Sequence, residues 1–271
     1  MSIITISRGS FSRGKEVAEG VAEKLNYATL SREILLEASE DFNIPEIKLI
    51  RAIHDAPSIL DRLTFGKERY LAQIESTLLD HFRKDNIVYH GLAGHFFVRS
   101  ISHVLKVRII ADFDDRVKTK MARQKISKEK AFEELKKDDK ARRQWSLKLY
   151  GVDTWDPALY DLVLHIHKLN VQNAVDIICS TVTLEQFRTT PESQRTMDDL
   201  TIAAMVKAKI VRGYPGARVT VRAGKALIHV QAAETLESEI VQDIQCAARE
   251  VPGVTEVKVH LVPTTLFDGR L

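Results

Sequence analysis

The stretch Ser7-Arg8-Gly9-Ser10-Phe11-Ser12-Arg13-Gly14-Lys15-Glu16 carries residue types that phosphate chemistry needs. Gly9 through Lys15 fits the pattern G-x-x-x-x-G-K. Such a loop works because backbone N–H groups at a helix N-terminus point at an anion while a lysine adds compact positive charge. Glycine serves where the backbone bends or approaches closely. Glu16 stands where a phosphate loop usually has the Ser or Thr that ligates Mg²⁺. A carboxylate there repels phosphate unless it points away or holds a metal or a base, and the sequence leaves those alternatives open. Ser12 beside Lys15 is not a nucleophile pair, since in a phosphate loop the hydroxyl and the amine act as donors.

Two other groups of residues could do chemistry. The segment "DDRVKTKMARQKISKEKAFEELKKDDKARRQW" sets Arg116, Arg123, Arg142 and Arg143 beside Asp138 and Asp139. On its own this reads as the solvated, salt-bridged surface of helices. His165 and His167 alternate on a strand and so share a face. They could bind a metal, but no third ligand is evident nearby, and no protein-held metal is expected.

The elements that position these residues are legible from periodicity. Residues 3–7 are β-rich and nearly all apolar, as a buried parallel strand requires. Val17, Val21, Ala22 and Leu25 then recur at helical spacing, so the loop follows a strand and opens a helix, the context a phosphate loop needs. Helical patterns cover 31–54, broken at Pro45, and 67–84. Strands are expected over 86–94, 104–112 and 160–166, with a helix through Val171, Ala174, Val175 and Ile178. Ser127 is placed to cap a helix in the charged segment. Alternating strands and helices predict an α/β fold with a parallel sheet covered by helices on both faces. Residues 183–197 are polar, contain Pro191 and read as a linker. Beyond it the expected order is helix 198–211, strand 217–222, a turn at Gly224-Lys225, strand 226–231, helix 234–249 and strand 254–262, a small α+β unit in α-β-β-α-β order.

Composition limits the alternatives. The 271 residues, 44% hydrophobic and 28% charged, are enough for one large domain or two unequal ones. A net charge of +3 gives no argument for nucleic acid, and charges balance within 191–271, so the excess belongs to the first 190 residues. Cys179 and Cys246 are far apart in apolar contexts and read as buried free thiols of a reducing compartment. The N-terminus is strand-like with no signal-peptide pattern, and no apolar run reaches about 18 residues, so a cytoplasmic protein is expected.

Residues 4–35, "ITISRGSFSRGKEVAEGVAEKLNYATLSREIL", resemble the opening of the cytidylate kinase-like family. Its members read S-R-x-x-G-S-G-G-[RK]-E-[IV]-A there, and Ser7, Arg8, Ser12, Gly14, Lys15, Glu16, Val17 and Ala18 match. Glu16 is thus the family's own residue; the departures are Phe11 and Arg13, where the family usually has Gly. The charged segment and the strand after it are similar to that family's lid and closing strand, Trp155-Asp156 included, so the likeness covers about residues 3–180. It implies phosphoryl transfer from ATP, with Mg²⁺, to a nucleoside monophosphate, CMP in the named activity. Gly9, Ser10, Phe11, Ser12, Arg13, Gly14, Lys15 and Glu16 would form the ATP loop. Lys15 would contact the donor phosphates, and Arg116, Arg123, Arg142 and Arg143 would clamp the moving phosphoryl group. The acceptor side would draw on Arg32, His90, Arg99 and Asp139, although Tyr89-His90-Gly91-Leu92-Ala93 lacks the arginine that the family places after its strand. A nucleotide-binding sensor without turnover is the other function this implies.

Residues 197–264 resemble a BON domain, through "DDLTIAAMVKAKI", the hairpin "ARVTVRAGKALIHVQAA" and "AAREVPGVTEVKVHLV". The expected division is 1–185 kinase-like domain, 186–196 linker and 197–264 BON domain. The resemblance implies a regulatory module that engages a protein partner or a second copy of the chain. Neutral charge gives no support for membrane binding.

Overall fold

The structure, a computed structural model, describes residues 2–31, 66–91, 94–232 and 237–263. The expected helices over 31–54 lie almost wholly outside them. The described residues form two compact units, divided at Leu63/Thr64, Arg83/Lys84 and Ser193/Gln194.

In the first unit, β1 (Ile3–Arg8) leads through the loop to α1 (Gly14–Leu25), followed by a short β2 (Ala28–Leu30). Then come β3 (Ile87–His90), the single-turn α3 (Gly94–Phe97), β4 (Val104–Ala111), α4 (Phe113–Gln124), α5 (Lys128–Tyr150), β5 (Leu162–Ile166) and α6 (Val171–Val182). The helix α2 (Gly66–Phe82) falls in the second unit. The strands make one sheet in the order β2-β3-β1-β4-β5, and every pairing is parallel. On one face Ile4, Ile6, Val88, Leu105, Val107, Ile109 and Leu164 pack with Val17 and Val21 of α1 and Val175 and Ile178 of α6. Alternation then sends Ser7, Arg108, Ile110 and Val163 to the opposite face, where Tyr160 donates to Ser7 Oγ (3.1 Å) and stacks on His95 of α3. In an open parallel sheet, ligands bind beyond the carboxyl ends of the strands; the glycine loop sits at that end of β1. Ser127 caps α5 by accepting from Lys130 N (3.3 Å), as its position predicts.

The second unit holds α2, most of α7 (Pro191–Ile210), β6 (Arg218–Arg222), β7 (Lys225–Ala232), α8 (Glu237–Arg249) and β8 (Glu256–Pro263). β6 and β7 form an antiparallel hairpin, and β8 runs parallel to β7. Val206, Ile210, Val221, Ile228, Val230, Ile244 and Ala248 make its core. Two expectations shift here. The helix expected over 198–211 begins at Pro191 and takes in much of the stretch read as a linker; proline suits a first helical turn, whose N–H groups are unpaired anyway. The helix α2 clusters with this unit: Gln73 Nε2 donates to Ala208 O (3.3 Å) and Thr201 Oγ1 to Leu79 O (3.3 Å). Of the two cysteines only Cys179 is buried. Cys246 is exposed on α8 because Ile244 and Ala248 on either side of it take the inward face.

The β6–β7 turn puts Ala223 (φ 48°) and Gly224 (φ 76°) in the left-handed region, as a two-residue hairpin turn requires. Asp199 accepts from both of their N–H groups, at 3.0 and 3.4 Å. A Cβ on Gly224 would stand 2.7 Å from the Gly253 carbonyl oxygen. Gly224→Ala is therefore expected to destabilise this unit by about 1–3 kcal/mol, read as a lower urea midpoint in an otherwise unchanged protein.

Candidate functional site

The loop is held by its own hydrogen bonds. Ser12 Oγ donates to Gly9 O (2.9 Å) and Val17 N to Arg13 O (3.1 Å). Arg13 is the N-cap of α1, and its side chain makes no cap bond. Gly14 leaves room for Arg8, since a Cβ there would lie 2.6 Å from Arg8 Cβ.

Phe11 (φ 59°) and Arg13 (φ 63°) keep the left-handed backbone that glycine would adopt freely. Each such residue costs about 1–2 kcal/mol. For Phe11 the offset is visible: its ring packs against Val117, Ala131 and Leu135 of α4 and α5, with Lys120 Nζ 5.4 Å from its centroid. Phe11→Ala and Phe11→Gly both lose the ring, but only alanine keeps the backbone penalty. Phe11→Gly is therefore expected to be the more stable of the two by about 1 kcal/mol, as two urea titrations would show.

Two cavities open around the loop. The larger, about 530 Å³, is lined by Ser7, Gly9 and Ser12, by Arg8, Arg108, Arg116 and Arg142, and by Trp155. Asp139 is the single carboxylate among its described lining residues. The smaller, about 300 Å³, lies over the loop and the start of α1 and adds Arg13, Lys15, Lys120 and Arg123. Arg8 and Arg142 line both.

Arg116 is the best-held of these cations. It is 8% exposed; Nε donates to Ser10 O (2.7 Å), and Nη1 and Nη2 make a bidentate pair with Asp139 at 2.8 and 2.7 Å. The outer N–H groups of Nη1 and Nη2 remain for a ligand. Burial pushes Arg142 below its ordinary value, and the neighbouring Arg8 pushes the same way. Burial also lowers Arg8, whose Nε has no acceptor among the described residues. Such mutually repelling guanidiniums are stabilised by an anion placed between them. Burial, then Arg99 and Arg108, push His95 down to about 3, so this neighbour of Tyr160 is neutral at pH 7.

Glu16, which also lines the smaller cavity, accepts from Arg123. Burial raises its carboxyl, but its backbone hydrogen bond and Arg123 outweigh that and hold it below the usual range. Lys15 reaches Glu19 (3.4 Å) in an exposed pair.

Several anticipated residues lie elsewhere. Arg143 pairs with Asp153 (2.5 Å) and stacks over Trp155, and it lines neither cavity. Arg99 is exposed over Phe96 (5.0 Å), and His90 is buried at the end of β3; neither lines either of these two cavities. Arg32 is outside the described residues. Conversely, Arg8 and Arg108 line the larger cavity although neither is among the expected site residues. Arg108 donates to Ser7 Oγ (3.2 Å) and Tyr160 OH (3.3 Å). The signal for Arg108 was a charged residue in a largely apolar strand, where a charge is costly unless it is used.

Among known proteins, the model of the cytidylate kinase-like family matches residues 3–168. A cytidylate kinase from Sulfolobus acidocaldarius is 23% identical over 180 residues, covering 66% of this chain and 93% of that protein. One from Archaeoglobus fulgidus is 26% identical over 190 residues, covering 68% and 97%. A solved structure of an uncharacterized protein from Eubacterium ventriosum superposes with a TM-score of 0.50 at 23% identity, over 67% of this chain and 98% of that one. The matched residues stop before the second unit's three-stranded sheet.

Proposed function

The chain belongs to the cytidylate kinase-like family, and on that premise we propose that it transfers the γ-phosphoryl group of ATP to a nucleoside monophosphate of the cytidylate class. The observation that carries this reading is the pair of cavities meeting at Arg8 and Arg142. Phosphoryl transfer asks a protein chiefly for in-line positioning and charge neutralisation. The smaller cavity, over the start of α1 and Lys15, suits the donor phosphates. The larger, with Arg108 and Arg116 and an apolar wall of Ile110, Phe113, Trp155 and Val163, suits an acceptor nucleotide. Arg108 would take the acceptor phosphate in place of the arginine missing after β3.

Mg²⁺ fits as a companion of ATP. Glu16 and Asp139 are committed to arginines, and Asp138 stands 3.9 Å from Lys120, so phosphate oxygens would supply most of its ligands. Arg123, Arg142 and Arg143 lie on the α4–α5 pair that would close over the phosphates.

The absence of an arginine in Tyr89–Ala93 favours a second reading, a sensor that binds nucleotide without turnover. The α-β-β-α-β order of the second unit supports a BON-type regulatory module in either case. Purified protein with ATP, Mg²⁺ and a panel of nucleoside monophosphates is expected to release ADP fastest with CMP. Thermal stabilisation by ATP with no ADP under any acceptor would establish the sensor instead.

A further inference from the structure

His167, Asp112 and Asp115 come from two distant places in the chain and converge. β4 and β5 pair with Ile110 opposite His165 and Ala111 opposite Ile166, so the next step of the register puts Asp112 beside His167. Asp115 is three residues on in α4, on the same side as Asp112. The His167 Nδ1 atom lies 2.9 Å from Asp112 Oδ2 and 3.5 Å from Asp115 Oδ2. One ligand atom from each of these three residues falls within 4.8 Å of the others. The third and fourth polar groups that the histidine pair lacked in the sequence are therefore present in the fold.

Asp112 is also turned away from its ordinary work. As the N-cap of α4 it should accept from the first N–H groups of that helix, yet its side chain makes no cap bond. Its two oxygens face His165 Nε2 (3.0 Å) and His167 Nδ1. The two rings lie nearly parallel, 5.8 Å apart.

We propose that Asp112, Asp115 and His167 form a binding site for a borderline divalent cation of the Zn²⁺ or Co²⁺ type. Bonds of about 2.0–2.2 Å in a tetrahedral site separate ligand atoms by roughly 3.3–3.6 Å; the 3.5 Å spacing of His167 from Asp115 falls in that range, and the 2.9 Å spacing from Asp112 would open by a few tenths of an ångström when a cation replaces the proton between them. One nitrogen and two carboxylates suit such ions, and the nitrogen disfavours Mg²⁺. His165 is a positioning residue that holds Asp112 from behind. Lys118 competes for the other oxygen of Asp115 (3.0 Å), but this is an exposed pair and weak. A fourth position stays open to water. Ile110, Ala111, Phe113 and Val163, which flank these ligands in sequence, line the larger cavity. The cation would stand at the rim of that cavity, distinct from any Mg²⁺ carried in by ATP.

The test is titration of the full-length apoprotein with Co²⁺ alone, followed by its visible d–d absorption and by calorimetry. Micromolar binding at one site per chain with a tetrahedral spectrum is expected, and millimolar Mg²⁺ should leave it intact. His167→Gln and Asp115→Asn should each weaken binding about 100-fold, and His165→Gln about 10-fold. All three side chains are about half exposed, so folding should be preserved, as circular dichroism would show. Binding only at millimolar Co²⁺, displacement by Mg²⁺, or wild-type affinity in His167→Gln and Asp115→Asn would overturn the site. None of these outcomes bears on nucleotide turnover, so this site and the kinase reading stand or fall separately.

Discussion

Arg116→Ala should lower phosphoryl transfer by about 10³-fold, the scale of loss when an arginine that meets transferring charge is removed. Two effects combine. The outer N–H groups of Arg116 are lost from the larger cavity, and Asp139 is left without the guanidinium that holds it. That uncompensated carboxylate then faces the incoming phosphates, adding repulsion where there was attraction. Removing one member of a buried pair also costs about 3–5 kcal/mol, somewhat less here because Asp139 is partly exposed. Alanine could therefore fail by unfolding. Arg116→Lys separates the causes: it keeps the charge but cannot bridge Asp139 and Ser10 O together. It should fold, bind ATP within a few-fold of wild type, and turn over roughly 10–100-fold more slowly. Wild-type kcat in Arg116→Lys would remove Arg116 from the chemistry and leave it a structural tie between loop and helices.

The glycine loop was readable because its signal is local: an apolar strand, a run of small and basic residues, then helical spacing, all within residues 3–25. The facing of β4 was not. Alternation along "VLKVRIIA" puts Arg108 on the face opposite Val107 and Ile109, but nothing in that run says which face α1 and α6 cover and which opens into a cavity. The His165–His167 pair is local too, but Asp112 and Asp115 lie about fifty residues earlier, and only the β4–β5 register brings them together. Arg143 shows the converse limit. A helix surface dense in arginines suggests a clamp, yet which of two adjacent arginines turns inward depends on packing: Arg142 faces the cavities while Arg143 is drawn to Asp153 and Trp155. Pro191 lies in a stretch that reads as a linker, although the same residue favours the first turn of a helix. Polar composition around it reflected a solvated helix surface as readily as a linker.

Lys15→Ala should weaken ATP binding by more than 10-fold while leaving folding stability within about 0.5 kcal/mol of wild type. The two numbers rest on different physics. Lys15 contributes to folding only through its exposed pair with Glu19, an i,i+4 contact of a kind worth about 0.3–0.5 kcal/mol. Its ammonium is free to leave that contact, because no buried group depends on it, and the start of α1 beside it has no side-chain cap. With the donor phosphates in the smaller cavity, the same ammonium meets concentrated negative charge in a site already lined by Arg13, Lys120 and Arg123. A charge-assisted hydrogen bond there contributes about 1.5–3 kcal/mol, which is a 10- to 150-fold change in dissociation constant. Calorimetric titration with a non-hydrolysable ATP analogue, beside urea unfolding of the same samples, reads both quantities. Affinity unchanged with stability unchanged would remove Lys15 from the nucleotide site and with it the assignment of the loop. A loss of affinity with wild-type stability is what a phosphate-binding lysine on a rigid loop must produce.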